Sequence, residues 1–464
     1  MFVENSSMYR LIFCSLLSCF IMLDPIAAQD RHTLQIRKMF ESVMNEGEAY
    51  DNLRLLCKKF GQRVSGSDTA AGAVIFARDL LLKTGADTVF LQGCRVPRWI
   101  RGKAETAFIN LNQKQIPVRI AALGSSIATP EVGLQARVVE INRLSQLDSI
   151  GHELNGKIAF FNVAMNPLHV RTFHAYGEVA SIRRNAASLS ARYGAVATIV
   201  RSLASNTDEH PHTGNMAYAA SLPRIPAVAI STRDADLLSG LLKTNPALSF
   251  YMETHCRMAD SVLSYNVVAE WRGREKPGEY ITVGGHLDSW DLGEGAHDDG
   301  AGCMQSVEVL RVFKQLGYRP KQTLRIVLFM NEENGLRGAI AYQDSARARK
   351  EIHRFALESD AGGFSPRGFA FKCKTPAQFE KIRSWRSYFE PYDMALFTSD
   401  GGGADISGLF DLGALLADLR PDSQRYFDVH HAASDVFETV NRRELLLGSF
   451  AMASLIYLVS EMGL

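Results

Sequence analysis

Apolar and polar positions alternate along this chain in three distinct ways. From 31 to 90 the period is helical: Leu53, Leu56 and Phe60, then Val74, Phe76, Leu80 and Leu82, recur at spacings that place them on one helix face. Between the two groups, Gln62-Arg63-Val64-Ser65-Gly66-Ser67 predicts a loop with a helix start after it. Residues 86–110 turn to strand-like composition. The middle, 107–262, has short apolar runs at 158–163, 195–200 and 225–230, which predict buried strands, and helices at 178–193 and 234–242. That pattern describes a compact α/β insert of ordinary domain size.

From Tyr265 onward the pattern becomes strand, loop and helix in repetition. Residues 266–271 and 280–285 predict a hairpin around 273–278. Helices are expected at 300–317, from about Gly338, and at 441–462. Residues 324–330 form a near-continuous apolar run, the mark of a strand buried on both faces, and 354–358 predicts another strand.

The 464 residues carry 46% hydrophobic and 22% charged positions, enough for a large core without disorder. A formal net charge of +1 argues against nucleic acid or an anionic membrane surface as main partner. Arg10, the apolar run Leu11 to Leu23 and Ala27-Ala28 are laid out as a secretory signal. Residues 1–28 are therefore expected to direct export to a secreted or periplasmic location. The apolar run is too short for a stable membrane span, and Cys19 makes lipoprotein anchoring the weaker alternative. Five cysteines remain beyond the signal, widely spaced and without zinc-finger spacing, so one or two disulfides at most are expected.

The chemistry concentrates where strands are predicted to end. His286 and Asp288 close one strand, and Asp298-Asp299 lie in the glycine-rich loop that follows. Glu332-Glu333 close the next strand, Asp360 the one after, and His430-His431 with Asp435 sit near the C-terminus. In open α/β sheets ligands bind beyond the carboxyl ends of the strands, so these groups can converge. Taken singly, each has an ordinary explanation as a core histidine or a solvated loop acid. Together, imidazoles and carboxylates suit zinc, and two histidines with three carboxylates match two metals that share one bridging carboxylate. A further carboxylate must then stay free to accept a proton from water. Glu332-Glu333 directly after an apolar run is costly unless partnered.

These motifs resemble a known family. Residues 286–291 with Asp298-Asp299-Gly300, the early Arg63-Val64-Ser65-Gly66-Ser67 loop and Val96-Pro97-Arg98-Trp99-Ile100-Arg101-Gly102 are similar to those of the zinc-dependent exopeptidases that include bacterial leucyl aminopeptidase and glutamate carboxypeptidase. The resemblance implies a mixed, mostly parallel central sheet with helices on both faces, a phosphorylase/hydrolase-like zinc peptidase core. It also implies an inserted protease-associated-like α/β domain, so that 29–106 and 263–464 form the catalytic domain around 107–262. By the same resemblance two zinc ions per chain are expected: His286 and Asp360 on one, Glu333 and His431 on the other, and Asp298 bridging. Glu332 is expected as general base, and Asp288 as the group that orients the imidazole of His286. The bond before Asp299 is expected to be cis, and Asp435 is a weaker supporting candidate. The implied activity is hydrolysis of small peptides, by an aminopeptidase or a dipeptidase, with a homodimer as the assembly. A catalytically inactive receptor on the same fold and a single-zinc glutaminyl cyclase-like enzyme are the alternatives. His297 is expected to be a solvated loop residue, His430 a neighbour of the site rather than a ligand, and Cys303 a core residue rather than a nucleophile.

Overall fold

The computed structural model describes residues 30–464; the expected signal, with Cys14 and Cys19, lies outside the described residues. The amino-terminal and carboxy-terminal parts of the chain build one eight-stranded sheet, and the middle builds another. In chain order the strands are β1 (Thr88–Ile100), then β2 (Thr106–Leu111), β3 (Lys114–Pro117), β4 (Ile120–Ala122), β5 (Leu134–Ile141), β6 (Ile158–Phe161), β7 (Ala197–Arg201), β8 (Ala227–Ile230) and β9 (Ser249–Glu253). They continue with β10 (Arg257–Trp271), β11 (Lys276–His286), β12 (Gln322–Phe329), β13 (Ile352–Glu358), β14 (Pro366–Lys372), β15 (Leu396–Thr398) and β16 (Leu415–Pro421).

The first sheet runs β1-β10-β12-β11-β13-β16-β14-β15. Its centre, β12, β11, β13 and β16, is parallel, and β10 and β14 join it antiparallel. The expected hairpin between 266–271 and 280–285 does not form. β12 lies between β10 and β11 and pairs with both. All eight residues of β12 are buried, so the strand needs a partner on each edge and cover on each face. The connection after β10 crosses the start of β12 instead, with Gly273 N–H donating to Thr323 Oγ1. A Cβ on Gly273 would meet the backbone of Gln322 at 2.5 Å, so only glycine fits that crossing.

Successive residues of these strands feed two cores, as a pleated strand requires. Val267, Leu324, Ile326, Leu328 and Leu357 face a large core shared with the helices Arg31–Glu46, Ala49–Phe60, Asp68–Thr84, Ala301–Gln315 and Arg442–Met462. Val268, Val327, Phe329 and Ala356 face a smaller core capped by Ala339 and Tyr342 of the helix Arg337–Ala348. The helix Arg442–Met462 is long and apolar enough to cross a membrane, yet here it is mostly buried as a core helix.

The second sheet, β3-β2-β9-β5-β6-β7-β8-β4, is parallel from β5 to β8 and antiparallel at both ends. Its two faces are covered by the helices Thr172–Ala191 and Thr232–Thr244. The first of these starts six residues earlier than the apolar pattern predicts. Its added first turn carries Phe173 and Tyr176, which pack on Tyr426 and Phe427 of the other part of the chain, a contact that no local period signals. Cys57, Cys94, Cys256, Cys303 and Cys373 are all unpaired, so no disulfide joins the described residues.

Phe329 is fully buried and meets Tyr342 edge to face at 5.6 Å. Phe329→Ala is expected to cost about 3–5 kcal/mol of stability, read as a lower urea midpoint with an unchanged slope.

Candidate metal centre

Three parallel strands end side by side, and each delivers an acid or an imidazole at its carboxyl end. His286 is the last residue of β11. Glu332 and Glu333 follow β12, Asp360 follows β13, and Asp298 lies in the loop that leads into the helix Ala301–Gln315. His431 follows the short helix Tyr426–Val429.

The structure brings these side chains to one point. His286 Nε2 lies 3.2 Å from Asp298 Oδ1 and 3.4 Å from Asp360 Oδ1. His431 Nε2 lies 3.1 Å from Asp298 Oδ2 and 3.1 Å from Glu333 Oε2. Asp298 thus gives one oxygen to each imidazole–carboxylate pair. Ligand atoms about 2.0–2.2 Å from a tetrahedral zinc stand roughly 3.3–3.5 Å from one another, and both pairs fall close to that separation. Asp298 Oδ2 and Glu333 Oε1 are buried with no hydrogen-bond partner. The contact of Asp298 Oδ2 with His431 therefore has the distance of a hydrogen bond without its direction. Buried acid oxygens left this way fit a cation better than they fit protein alone.

Electrostatics say the same. Burial alone would depress both imidazoles, yet Asp360 and Asp298 hold His286 well above its ordinary value, and Glu333 and Asp298 lift His431 to about 10. Burial opposes the charge of Asp298, but the two imidazoles hold its carboxyl well below the usual range. Burial and the nearby Asp298 push Glu333 up to about 7. The centre attracts positive charge strongly at two places.

Glu332 adjoins this group, lines the same cleft, and is pushed well up by burial and by the carboxylates of Asp360 and Glu333. The Asp298–Asp299 bond is cis. Asp299 accepts from His286 N–H at 3.0 Å and Gly302 N–H at 3.0 Å. A Cβ on Gly302 would sit 1.8 Å from Ser359 O, so the helix can approach the strand ends only with glycine there. Asp435 accepts from the N–H groups of His297 and Asp298, which fixes the loop that carries the shared carboxylate. Cys303 is a buried thiol that donates to His286 O, as a core residue should. Asp288 acts differently from the expectation for its carboxylate. Its main-chain carbonyl lies 2.9 Å from His286 Nδ1. The carboxylate accepts instead from Asn331 and Glu332 N–H, and so holds the turn that presents Glu332 and Glu333.

One further expectation changes. His297 is buried, not solvated: its ring stacks on Phe364 at 4.2 Å, its Nδ1 accepts from Gly363 N–H, and burial lowers it to about 4. His430 stacks on His431 at 3.6 Å, with Nε2 3.7 Å from Asp298 Oδ2.

Residues 212–213 of the insert carry no sequence signal for the contact they make here. His431 Nδ1 lies 3.2 Å from Thr213 O, and Thr213 N–H donates to His431 O. His212 Nδ1 lies 2.7 Å from His430 O. Residues 212–213 thus grip the His430-His431 segment through its main chain. A cleft of about 560 Å³ opens beside the centre, with Glu332, Glu333, Asp298, Asp360 and His431 on one side and Tyr176 and Arg183 of the insert on the other. Asp405 is buried near Glu332 with neither carboxylate oxygen hydrogen-bonded.

The model of peptidase family M28 matches residues 266–455. Carboxypeptidase Q of Mus musculus is 32% identical over 417 residues, covering 90% of this chain and 86% of that protein. Carboxypeptidase Q of Homo sapiens is 32% identical over 419 residues with the same shares. A peptidase M28 precursor from Shewanella amazonensis has a solved structure that is 33% identical, with a TM-score of 0.89 over 93% of this chain and 97% of that one. The fold alone is shared with a zinc aminopeptidase from Bacillus subtilis, at 18% identity and a TM-score of 0.65 over 88% of this chain and 94% of that one.

Arg63 is fully buried beneath the centre. Its Nε donates to Leu287 O, and its two terminal nitrogens donate to Glu294 O and Gly295 O. Arg63→Met is expected to strand these carbonyls and cost about 3 kcal/mol or more, measured as a fall in the urea midpoint.

Proposed function

The chain belongs to peptidase family M28 and is a zinc metallopeptidase, and from that premise we propose that it is an exopeptidase that hydrolyses short peptides with two zinc ions. We assign His286 and Asp360 to one ion, Glu333 and His431 to the other, and Asp298 to both. The observation that carries this is the division of the Asp298 carboxylate, with Oδ1 beside His286 and Oδ2 beside His431. A single ion would leave one imidazole–carboxylate pair, and its buried charge, without a counterpart.

Zinc held by such donors supplies Lewis acidity toward water and toward the peptide carbonyl. Everything else falls to side chains of this chain. Glu332 has no metal role in this assignment and faces the cleft, where its carboxylate takes the proton of the attacking water and hands it to the leaving nitrogen. Burial and two neighbouring carboxylates raise its proton affinity, the direction a base near neutral pH requires. Asp288 holds the Glu332 main chain, so the base stays aimed. His430 and Tyr176 narrow the cleft wall and limit water around the reacting carbonyl.

The same reading divides the chain into a catalytic part, 29–106 and 263–464, and an insert, 107–262, that closes one wall of the cleft. We also keep export by residues 1–28 and assembly as a homodimer within this proposal. The full set of five ligands and a base favours an active enzyme over an inactive receptor, since a receptor has no need to keep them.

Chelation is expected to abolish dipeptide hydrolysis and added zinc to restore it; hydrolysis that survives thorough chelation rejects the metal mechanism. Glu332→Gln is expected to keep about two zinc per chain by elemental analysis while activity falls roughly 10²–10⁴-fold. If zinc is lost instead, the roles of Glu332 and Glu333 are exchanged.

A further inference from the structure

Phe173 belongs to two cavities at once. It stands in the first turn of the insert helix Thr172–Ala191, half-buried, and lines the cleft of about 560 Å³ beside the metal centre. A second cavity of about 420 Å³ adjoins it, lined by Val170, Leu396 and Pro421 and by Ser423 and Gln424. Among the described residues Phe173 alone lines both. The catalytic part repeats this division in its main chain. Asp360, assigned above to one zinc, lines the cleft, and the next residue, Ala361, lines the second cavity. The second cavity thus starts one residue along the chain from the metal centre, and the ring of Phe173 stands between the two.

That ring is held in place. It stacks on Tyr426 with centroids 5.1 Å apart and planes at 21°, and it meets Phe427 edge to face at 4.9 Å. Such contacts fix the orientation of a ring as well as burying its area. The turn that carries it is tied at its base: Thr172 Oγ1 donates to Ser423 O at 2.6 Å, and Gln424 Nε2 donates to Val170 O at 2.6 Å. Swinging the ring aside would give up both aromatic contacts, so it acts as a wall. The second cavity has the chemistry of a peptide site, an apolar floor with a few polar atoms beside it. Its charges are already matched. Arg171 holds Asp400 at 3.6 Å, Arg367 holds Asp422 at 2.9 Å, and Arg420 holds Asp418 at 2.8 Å. A cavity with no spare charge suits a neutral stretch of peptide, not an ion.

Resting on the hydrolase reading above, we propose that the second cavity is a closed-off extension of the cleft, shaped for peptide residues beyond the first two, and that the ring of Phe173 sets the length of peptide the enzyme accepts. An extended chain advances about 3.3–3.6 Å per residue, so one added residue is enough to carry it across the step from Asp360 to Ala361. With the ring in place that residue meets an aromatic wall. Longer chains are then refused by a clash, while shorter ones lose nothing.

The test measures initial rates on dialanine, trialanine and tetraalanine with the zinc-loaded enzyme. For the wild type, kcat/KM is expected to fall about tenfold or more from dialanine to trialanine. In Phe173→Ala the ratio of trialanine to dialanine is expected to rise about tenfold, with zinc content per chain unchanged. Adding Leu396→Trp to that variant refills the second cavity, and the ratio is expected to return to the wild-type value. A ring that only packs the insert against the catalytic part would lower all rates together and preserve the ratio, and that outcome overturns the proposal. A ratio that stays high in the double variant overturns it too, because the added residue then lies elsewhere. Equal rates on all three peptides in the wild type overturn it while leaving the hydrolase standing. Failure of the zinc-loaded wild type to cleave any of them removes the hydrolase reading and this one with it. Should the alanine variant not fold, Phe173→Leu keeps an apolar contact but lowers the wall, and its ratio is expected to rise by a smaller factor; an unchanged ratio again overturns the assignment.

Discussion

The whole active half of this molecule depends on one buried carboxylate being asked to serve two imidazoles. Asp298 is 5% exposed and stands between His286 and His431, which come from distant segments of the carboxy-terminal part of the chain. Three further acids, Glu332, Glu333 and Asp360, crowd the same space. Carboxylates this close repel one another, and burial magnifies the repulsion. A cation held at the centre would turn that repulsion into attraction. Much of the surrounding architecture exists to hold the acids together against it. Asp435 ties the Asp298 loop, Asp288 ties the Glu332 turn, and Asp299 ties β11 to the helix behind it. Arg63 and Ser65 reach in from the early loop, Arg63 onto the carbonyls of the 287–295 segment and Ser65 onto Asn331 and Asn334.

These ties share a physical style. Nearly all run from a side chain to the main chain, so they fix where the strand-end loops go rather than neutralising charge. A carboxylate that accepts two backbone N–H groups can hold a turn with no counter-ion beside it. The supports therefore add rigidity without adding a counter-charge to the centre. Glycine completes the arrangement: at Gly302 even a methyl group would press on Ser359 O, so the helix Ala301–Gln315 could not approach the strand ends.

The sequence made His286, Glu332, Glu333 and Asp360 legible because each falls at or just after a predicted strand end, where an open sheet gathers its ligands. The apolar run at 324–330 likewise announced a doubly buried strand. That same run explains what was misread. Local signals favoured a hairpin between the flanking strands, but burial of β12 on both faces outweighed sequence proximity, and the chain crossed over to enclose it. His297 was misread for a related reason. A histidine in a glycine-rich loop looks solvated, and only the tertiary fold supplies Phe364 to stack on it. The grip of residues 212–213 on His431 left no trace at all, since main-chain contacts between segments over two hundred residues apart have no period and no motif.

The placement of the insert follows from where it leaves the sheet. β1 ends at Ile100 and β10 begins at Arg257, and these two residues face each other across the ladder. The insert therefore departs and returns side by side, from an edge pair rather than from the catalytic centre of the sheet. Two neighbouring connections alone would let it swing. Arg101, the first residue past β1, prevents this: its guanidinium holds Asp291 of the 287–295 segment at 2.6 Å and Glu105, just ahead of the insert, at 2.8 Å, and it donates to Ala122 O within the insert. It is a buried pin between the two parts, with both acids close enough to offset its desolvation. At the far end the insert is fixed again by the aromatic contacts of Phe173 and Tyr176 with Tyr426 and Phe427, just ahead of His430-His431. Held at both ends, the insert sets the position of His431 and the shape of the cleft through one rigid contact. A shift in its seating would therefore move His431 and the cleft wall together.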